Sequence, residues 1–416
     1  MFDFMDMGFG PTSDLPMTGP YIPDASDCLR CGQCVSSCPT FRLFQTNEET
    51  PRSRIRTLSK ILLENQAITP DERQHLDNCV QCRACEAVCP SKMAYGELFD
   101  QARAQLHTTG PDWLGKLAFW FIENKRWRIQ LLPWLAAYLK SGLQKPLRRT
   151  GLLKKLRLAE ADALLLQPAL KPLAAQHPAM GTKRGQVALF TGCIAEHFDQ
   201  GTLQAAITLL NAIGYEVVVP PQQACCGAVH QHNGQSATDL IAKNLAVFNA
   251  LEADAVLHTA TGCGAMLSGY PDEDTGAAGL FRQRLQDIQA FLLDHWPDSL
   301  PLQALPGKVA VHEPCSQRNV LKNQQTVYAL LAKIPGLEVS ALADNHLCCG
   351  AGGSYMLTRP DNAKQLRGLK RQAMAAAQAD WVVSSNFGCA VFLGAEGGKV
   401  VHPLHILARQ LPTNFK

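Results

Sequence analysis

Two cysteine runs with the same spacing constrain this chain more than any other feature. In each run, three cysteines are separated by two residues, a fourth follows after three more, and a proline comes next. Runs of this kind hold iron–sulfur clusters, and the fourth cysteine of each run ligates the cluster of the other run. The two runs are Cys28-x2-Cys31-x2-Cys34-x3-Cys38-Pro39 and Cys79-x2-Cys82-x2-Cys85-x3-Cys89-Pro90.

The spacing also explains why the fourth ligand crosses over. Cysteines at i, i+3 and i+6 curl round one face of a cubane, and the fourth cysteine, next to proline, points away from it. The sequence therefore predicts two [4Fe-4S] clusters. Cys28, Cys31, Cys34 and Cys89 are the predicted ligands of the first cluster, and Cys79, Cys82, Cys85 and Cys38 those of the second.

Two other uses of cysteine fit the chain less well. Disulfides need an oxidising compartment, and no secretory signal with an apolar core precedes the runs. A structural zinc site usually takes two Cys-x-x-Cys pairs, without a proline closing each run.

The formal charge of +3 gives no reason to expect a nucleic-acid partner. No run of eighteen apolar residues occurs, so we expect a cytoplasmic protein, with a peripheral position on the inner membrane left open.

Helical signals surround the two runs. Thr69 followed by Pro70 is typical of a helix start, and apolar residues recur at helical spacing just before it. We expect a flexible leader over residues 1–24 and a helical ferredoxin-like domain over residues 25–108. Arg52, Arg54 and Arg56 lie in this domain, and two interpretations have equal weight: a solvated basic face, or contact with a cluster or a partner subunit.

Residues 109–184 are predicted to form a helical connector and linker. Its aromatic and leucine side chains alternate with lysine and arginine, a pattern found in helices that lie on a membrane and in helices that dock another subunit. A helical hairpin that packs on the ferredoxin-like part is the third interpretation. The large apolar residues are Trp113, Leu117, Trp120, Phe121, Trp127, Leu131, Trp134 and Tyr138.

The second half of the chain is an internal repeat. The segment from Gln186 to Cys193 matches the segment from Lys308 to Cys315, and Cys225-Cys226-Gly227 matches Cys348-Cys349-Gly350. Short apolar strands alternate with amphipathic helices in both copies, which favours a parallel sheet with helical crossovers. We therefore predict two α/β domains, over residues 185–300 and 301–416.

Each copy carries four cysteines at corresponding positions. A glycine after the cysteine pair suits a ligand loop, because glycine adopts positive φ and lets the backbone approach a metal. An iron–sulfur cluster, a zinc ion and a redox-active thiol pair all remain open. His312, Glu313, His230 and His232 lie near these cysteines without counterparts in the other copy, so a structural role is as plausible as a ligand role. The candidate ligands are Cys193, Cys225, Cys226 and Cys263, then Cys315, Cys348, Cys349 and Cys389.

The order of these parts resembles the iron–sulfur subunit of glycolate oxidase over nearly the whole chain. Pro51-Arg52-Ser53-Arg54-Ile55 follows the first run where that family commonly has Pro-Arg-Gly-Arg-Ile. The architecture is also similar to the small subunit of anaerobic glycerol-3-phosphate dehydrogenase, and the second half to a heterodisulfide reductase subunit. In the latter, the last cysteine belongs to a Cys-x-x-Cys pair, whereas this chain has Ala260 and Asn386 at the earlier positions, which puts the unusual double-cubane cluster of that family in doubt.

The resemblance implies an electron-transfer subunit of an oxidoreductase. FAD-containing partner subunits would oxidise glycolate to glyoxylate, and this chain would pass the electrons to a quinone, at a membrane surface, or to another acceptor. D-lactate and glycerol-3-phosphate are the alternative substrates of the complex, and thiol–disulfide reductase chemistry at the repeats is the alternative of another class. The predicted fold is an α+β multidomain protein, a helical ferredoxin domain with two [4Fe-4S] clusters followed by two α/β cysteine-rich domains.

Overall fold

A computed structural model describes residues 31–106, 113–272 and 276–415. It has a helical N-terminal part followed by two α/β units, so the predicted fold class is confirmed. The predicted leader, residues 1–24, and the predicted ligand Cys28 lie outside the described residues.

Capping residues define where helices of the N-terminal part begin. Thr50 accepts a hydrogen bond from the Ser53 amide, and Thr69 and Glu72 form the reciprocal capping box that the sequence indicates. The apolar faces of the longer helices meet in a small core around Leu58 and Phe99. The helices are α1 (Gln33–Ser36), α2 (Pro39–Phe44), α3 (Pro51–Leu62), α4 (Pro70–Asp77), α5 (Ala84–Ala87) and α6 (Tyr95–Leu106), with a 3-10 turn at Asn47–Glu49.

The connector is helical, and its first two helices pack on the first α/β unit. Ile122 contacts the apolar cluster of that unit, and Lys125 Nζ lies 2.6 Å from Glu196 Oε1. The predicted hairpin packing is thus intramolecular but against a different neighbour. The helices are α7 (Trp113–Glu123), α8 (Lys125–Lys140), α9 (Gln144–Arg149), α10 (Leu152–Lys155) and α11 (Ala159–Ala163).

The two α/β units share a parallel four-stranded arrangement, as the internal repeat indicates, and the first unit has one additional edge strand. The first sheet has the order β1-β3-β2-β4-β5 and the second β7-β6-β8-β9, with every pair parallel except β1 and β3. The short edge strand β1 lies within the segment that was expected to be a linker. The strands are β1 (Gln176–His177), β2 (Gly185–Phe190), β3 (Tyr215–Val218), β4 (Ala255–His258), β5 (Leu285–Asp287), β6 (Gly307–His312), β7 (Leu337–Ala341), β8 (Trp381–Ser384) and β9 (Val400–Val401).

Helices cover the two sheets and join their strands. The helices of the first unit are α12 (Ala195–Phe198), α13 (Gln200–Ala212), α14 (Ala228–His232), α15 (Thr238–Asn249), α16 (Thr261–Ser268), α17 (Ala277–Arg284) and α18 (Ile288–His295). Those of the second are a π-helical turn (Ser316–Leu321), α19 (Gln325–Leu331), α20 (Tyr355–Thr358), α21 (Pro360–Ala377), α22 (Phe387–Gly394) and α23 (Pro403–Arg409), with 3-10 turns at Ala395–Gly397 and Thr413–Phe415.

One apolar core joins both units. The central strands β2 and β6 are nearly continuous in apolar residues, as strands buried on both faces must be. Leu203, Leu210, Val309 and Leu407 belong to the same buried cluster, which spans both sheets and the helices between them. Since the carboxyl ends of parallel strands meet at one edge of a sheet, the cysteines that follow β2 and β6 lie at such an edge in each unit.

Candidate iron–sulfur and metal sites

Five thiols from both cysteine runs lie near one another inside the N-terminal part. Burial raises the pKa of Cys85 well above its ordinary value, and the neighbouring Cys79, Cys38 and Cys34 raise it further. Burial likewise raises the pKa of Cys82, with Cys348, Cys85 and Cys38 among its neighbours. Cys38 of the first run is therefore adjacent to the second run, as the crossing pattern predicts.

A buried arginine accompanies this group of thiols. The side chain of Arg54 is 1% exposed and forms an ion pair with Glu49. Its Nη1 lies 3.7 Å from Cys38 Sγ and 2.9 Å from Thr40 Oγ1, and its Nε donates to the His75 carbonyl at 2.8 Å. Burial would lower the pKa of Arg54, but the surrounding thiols, Tyr95 and Glu49 raise it above its ordinary value. A permanent positive charge thus lies against the predicted ligands.

The other two arginines of this segment have different surroundings. Arg56 is exposed, and Arg52 is half-buried at the edge of a cavity. Each interpretation therefore applies to a different arginine. Arg54 contacts a predicted ligand, and Arg56 is part of a solvated basic face.

The remaining thiols of the runs line that cavity. Cys31, Cys34 and Cys89 border it, and Cys85 reaches it from the second run. Apolar side chains such as Ile55, Met93 and Tyr95 form much of the rest of its wall, together with the charged Arg52 and Glu86. The cavity brings the fourth cysteine of the second run to the first run, the other half of the predicted crossing.

The Cys-Cys-Gly turns of the two α/β units are built alike. Gly227 has φ +91° and Gly350 has φ +90°, a region that favours glycine. The Gly227 amide lies 3.5 Å from Cys225 Sγ, and the Gly350 amide lies 3.4 Å from Cys348 Sγ. Each turn therefore directs a backbone N–H at the first thiol of its pair, where a negative charge on sulfur would be stabilised.

Four thiols form a continuous chain in the first unit. Cys193 Sγ lies 3.3 Å from Cys225 Sγ, and the Cys226 thiol is next to those of Cys225 and Cys263. The hydrogen bond with Cys225 and burial raise the pKa of Cys193. Cys263 belongs to the first turn of α16, directly after β4, so elements far apart in sequence supply the four thiols.

The second unit repeats this chain of thiols. Cys315 Sγ lies 3.9 Å from Cys348 Sγ, and Cys349 Sγ lies 3.2 Å from Cys389 Sγ. Hydrogen bonds from Cys315 and Cys349 lower the pKa of Cys348 well below its ordinary value. Asn386 Nδ2 donates to Cys389 Sγ at 3.3 Å. All eight predicted cysteines of the repeats are thus gathered into two groups of four.

The histidines and the glutamate singled out in the sequence differ in position. His230 Nε2 lies 2.8 Å from Glu123 Oε1, and His232 Nδ1 lies 3.4 Å from Asp100 Oδ1, so both join the α/β unit to other parts. Glu313 pairs with Arg318 at 2.6 Å. His312 is buried and lies beside two cysteines of the second unit. No sequence pattern distinguishes His312 from the other three residues.

The second run of cysteines is in contact with the thiols of the second α/β unit. Cys82, Cys315, Cys348, Cys349 and Cys389 belong to one buried cluster. The charge of Cys82 raises the pKa of Cys315, after the larger effects of the Cys348 hydrogen bond, burial and the Cys348 charge. No signal in the sequence pointed to this contact.

These groups fit iron–sulfur clusters in their chemistry. Every cysteine in the described ranges is a free thiol. Thiols with raised pKa values become thiolates when a metal supplies the compensating charge, and four sulfur donors are what an ordinary cluster or a zinc ion takes. Among the helices of residues 31–106, 113–272 and 276–415, none combines the length and apolar character that crossing a bilayer requires.

Comparison with known families assigns each part of the chain. Residues 24–93 match the family described as "4Fe-4S dicluster domain", and residues 110–165 match "Glycolate oxidase iron-sulfur subunit, linker region". Residues 187–268 and 309–394 match "Cysteine-rich domain". The chain is therefore an iron–sulfur protein in which a dicluster domain is followed by two cysteine-rich domains.

Curated relatives match over most of the chain. The "Probable glycolate oxidase iron-sulfur subunit" of Bacillus subtilis is 35% identical over 87% of this chain and 87% of its own length. The "Glycolate oxidase iron-sulfur subunit" of Escherichia coli is 30% identical over 92% of this chain and 93% of its own. "Lactate utilization protein A" of Geobacillus thermodenitrificans is 26% identical over 53% of this chain and 95% of its own. On this evidence the chain belongs to the family of glycolate oxidase iron–sulfur subunits.

Proposed function

We propose that this chain is the electron-transfer subunit of a membrane-associated glycolate oxidase complex. A partner subunit carrying FAD oxidises glycolate to glyoxylate, and this chain conveys the electrons toward a quinone or another acceptor. The observation that carries the proposal is the contact between thiol groups, because Cys82 of the N-terminal part lies against the thiols of the second α/β unit. The names of the relatives that match along most of the chain support glycolate as the substrate of the complex.

The ligand assignment is part of the proposal. Cys28, Cys31, Cys34 and Cys89 hold one [4Fe-4S] cluster, and Cys79, Cys82, Cys85 and Cys38 hold the other. The shared cavity of Cys31, Cys34 and Cys89 supports the first set, and the mutual proximity of Cys38, Cys79 and Cys85 supports the second. The four thiols in each α/β unit are proposed to bind a further cluster or a zinc ion.

The protein's own residues set the conditions for electron transfer. Bound [4Fe-4S] clusters supply one-electron redox chemistry. Arg54 places a buried positive charge 3.7 Å from Cys38 Sγ, which favours the more negative, reduced state of the site. The amides of Gly227 and Gly350 point at sulfur and act in the same direction. Burial excludes water from the Cys38 and Cys82 thiols.

The proposal is tested with the purified chain and its flavin-bearing partner under anaerobic conditions. Glycolate should reduce the iron–sulfur centres only when both proteins are present, as followed by bleaching of the visible absorption. Low-temperature EPR of single cysteine variants then tests the ligands, because Cys38→Ala should resemble Cys82→Ala and not Cys31→Ala. Reduction without the partner, or a Cys38→Ala spectrum matching Cys31→Ala, would contradict the corresponding part of the proposal.

The connector supports association with an anionic membrane surface. Between residues 113 and 158 there are eleven Lys and Arg residues and one acidic residue. Trp127 and Trp134 are 52% and 77% exposed, and their spacing of seven puts them on one face of α8. Trp113 at the start of α7 is 60% exposed. Exposed tryptophans beside basic side chains suit the interface of a bilayer that contains anionic lipids.

Vesicle flotation tests this membrane contact. The full chain should bind vesicles containing phosphatidylglycerol, and binding should weaken with salt and with pure phosphatidylcholine. Trp134→Ser should reduce binding by roughly ten-fold to a hundred-fold, because burying an aromatic side chain contributes about 1.5–3 kcal/mol. Leu280→Ser is the control. Leu280 is an exposed apolar residue like Trp134, with 58% of its surface accessible, but it lies on α17, outside the connector. Equal binding of both variants, or protection of Trp134 by the flavin-bearing partner alone, would contradict the proposal.

The alternative substrate and the alternative chemistry make different predictions. Likeness to the lactate utilization protein covers 53% of the chain, which makes D-lactate the second candidate substrate; the complex should then respond to D-lactate rather than glycolate. Thiol–disulfide chemistry needs an accessible thiolate, whereas Cys225, Cys226, Cys348 and Cys349 are buried. We therefore expect no turnover of a disulfide substrate by the isolated chain.

A further inference from the structure

The two α/β units differ at one position beside their thiols. Strand β2 ends at Phe190 and strand β6 at His312, and these are corresponding positions of the repeat. The residues that face these two positions on the neighbouring strand also differ. Phe190 faces His258 in the first sheet, and His312 faces Ser384 in the second. Each unit therefore has a buried histidine at the carboxyl edge of its sheet, but on different strands.

The histidine of the second unit lies close to two thiols. A nitrogen of His312 and the sulfurs of Cys349 and Cys389 all lie within 4.8 Å of one another, and all three residues are buried. No other set of three metal-binding side chains in the described ranges meets this condition. His258, by contrast, packs against Gly264, and its Nδ1 lies 4.0 Å from Asp287 Oδ2.

The surroundings of His312 orient its ring. Nδ1 lies 3.1 Å from Ser384 Oγ, and Ser384 is itself buried. A histidine that ligates a metal through one nitrogen commonly hydrogen-bonds through the other, which fixes the tautomer and the orientation of the ring. When Nδ1 carries the proton and donates it to Ser384 Oγ, Nε2 has the lone pair that a metal takes.

We propose that His312 is a nitrogen ligand of the metal centre in the second α/β unit, beside Cys349 and Cys389 and in place of one of the four cysteine thiolates. The inference rests on the proposed binding of a cluster or zinc ion by Cys315, Cys348, Cys349 and Cys389, and it makes the two units chemically distinct. The first unit offers thiols alone at the corresponding place, because Phe190 stands where His312 does.

A neutral imidazole changes the electrostatics of such a centre. Replacing thiolate ligands by imidazole reduces the negative charge of an iron–sulfur centre and raises its reduction potential. A second positive influence is nearby: Lys370 is buried, and the charges of Cys349 and Cys348 act on its ammonium group. If the centre contains iron, it is therefore a better electron acceptor than a site of thiolates alone, and it adjoins Cys82 of the N-terminal part.

Spectroscopy of the intact, anaerobically purified chain tests the proposal. The centre of the second unit is first identified as the metal that is lost in Cys349→Ala. In the wild type, pulsed EPR of an iron centre, or X-ray absorption at the zinc edge, should detect a directly bound nitrogen. For iron, labelling of histidine with the heavier nitrogen isotope should change the coupling. Absence of any nitrogen donor in the wild type, or of any metal in the second unit, overturns the proposal.

Two matched variants locate the nitrogen. His312→Asn can keep the hydrogen bond to Ser384, because its amide occupies the place of Nδ1, but it removes Nε2 and should abolish the nitrogen signal. His258→Asn is the same change at the buried histidine of the first unit and should leave the signal intact. A signal that survives in His312→Asn overturns the assignment. The wild-type measurement decides the matter even if a variant does not fold.

These outcomes are separable from failure of the proposed function. Reduction of the ferredoxin-type clusters by glycolate and the flavin-bearing partner depends on the N-terminal cysteines and not on His312. Loss of that reduction with a retained nitrogen signal would count against the electron-transfer function alone. Retained reduction without a nitrogen donor would count against His312 alone.

Discussion

At the scale of single residues, Arg54 is the group whose removal should have the largest effect. It is buried, and it pairs with Glu49, which also accepts hydrogen bonds from His75 and Asn78. Arg54→Gln leaves the Glu49 carboxylate without its cationic partner, and breaking a buried ion pair costs about 3–5 kcal/mol. We expect a lower urea midpoint and a lower reduction potential of the adjacent cluster.

The control for this change is Arg56→Gln. Arg56 belongs to the same helix but is exposed, so its substitution should change the free energy of unfolding by less than about 0.5 kcal/mol. Equal urea midpoints and equal reduction potentials for the two variants would mean that the buried contacts of Arg54 contribute neither to folding stability nor to the potential of the cluster.

Asp199 gives a prediction about pH. Burial raises the pKa of Asp199 to about 6, although a hydrogen bond from Thr202 lowers it. Because the folded-state pKa exceeds the ordinary value of 3.8, the folded chain binds more protons than the unfolded chain between these values. The contribution of Asp199 to stability is therefore complete below about pH 4 and is lost as the pH rises to about 6.

Asp199→Asn should remove this dependence. The amide keeps an acceptor for the Thr202 hydroxyl, which lies 2.7 Å from Asp199 Oδ1, and carries no charge. We expect the variant to be more stable than the wild type by about 1–3 kcal/mol at pH 7 to 8, with the difference shrinking below about pH 6. Thermal unfolding across this range measures it. The exposed Asp298→Asn serves as control, and a difference independent of pH would contradict the argument.

At the scale of elements, the Cys-Cys-Gly turn of the second unit tolerates little change. Gly350 has φ +90°, and a Cβ there would lie 2.6 Å from the Ala363 carbonyl oxygen of α21. Gly350→Ala should cost about 2–4 kcal/mol through backbone strain and displacement of the helix. It should also lower the metal content of the second unit, because the turn carries both Cys348 and Cys349.

Gly353→Ala separates strain from the clash. Gly353 also has positive φ, +61°, but a Cβ there meets nothing within 4 Å. Its substitution should cost about 1 kcal/mol and leave the metal content unchanged. If the two alanine variants lose stability and metal equally, the contact with α21 is not what fixes the turn.

The same scale shows what the sequence could predict. The repeat, the Cys-Cys-Gly turns and the capped helix α4 follow from local signals and are confirmed by the structure. Strands β5 and β9 have three and two residues, and such short edge strands carry no pattern of their own. The partner of the α7–α8 hairpin was also out of reach, because it depends on contacts such as that of Lys125 with Glu196 across 71 positions.

The candidate sites likewise contain some residues that the sequence could predict and others that it could not. The candidate cysteines could be recognised because their spacing is typical of cluster-binding runs, and the structure places Cys31, Cys34 and Cys89 around one cavity. The burial of Arg54 was not predictable, since a carboxylate five residues upstream and a carbonyl 21 positions downstream create it. His312 was equally hidden, because its approach to Cys349 and Cys389 depends on the pairing of β6 with β8.

At the scale of the whole molecule, the N-terminal part is held by both α/β units. Asn319 Nδ2 of the second unit donates to the Cys82 carbonyl at 2.7 Å, and Gln81 Nε2 donates to the His232 carbonyl of the first unit at 3.0 Å. Tyr355 Oη donates to the Asn78 carbonyl at 2.9 Å. These contacts fix the second cysteine run against the thiols of the second unit, so we expect the parts to unfold together.

Tyr355→Phe tests this coupling. The change leaves the buried Asn78 carbonyl without its donor, at a cost of about 1–3 kcal/mol. If the parts are coupled, the thermal transitions seen in visible iron–sulfur absorption and in far-ultraviolet circular dichroism should move to lower temperature together.

Tyr138→Phe is the matched control, because Tyr138 Oη hydrogen-bonds to Asp162 within the connector, at 2.7 Å. It should leave the iron–sulfur transition where it is. A Tyr355→Phe variant whose iron–sulfur transition falls while the dichroism transition stays would show that the N-terminal part melts alone, and that the contact between the two groups of thiols is not secured by the rest of the fold.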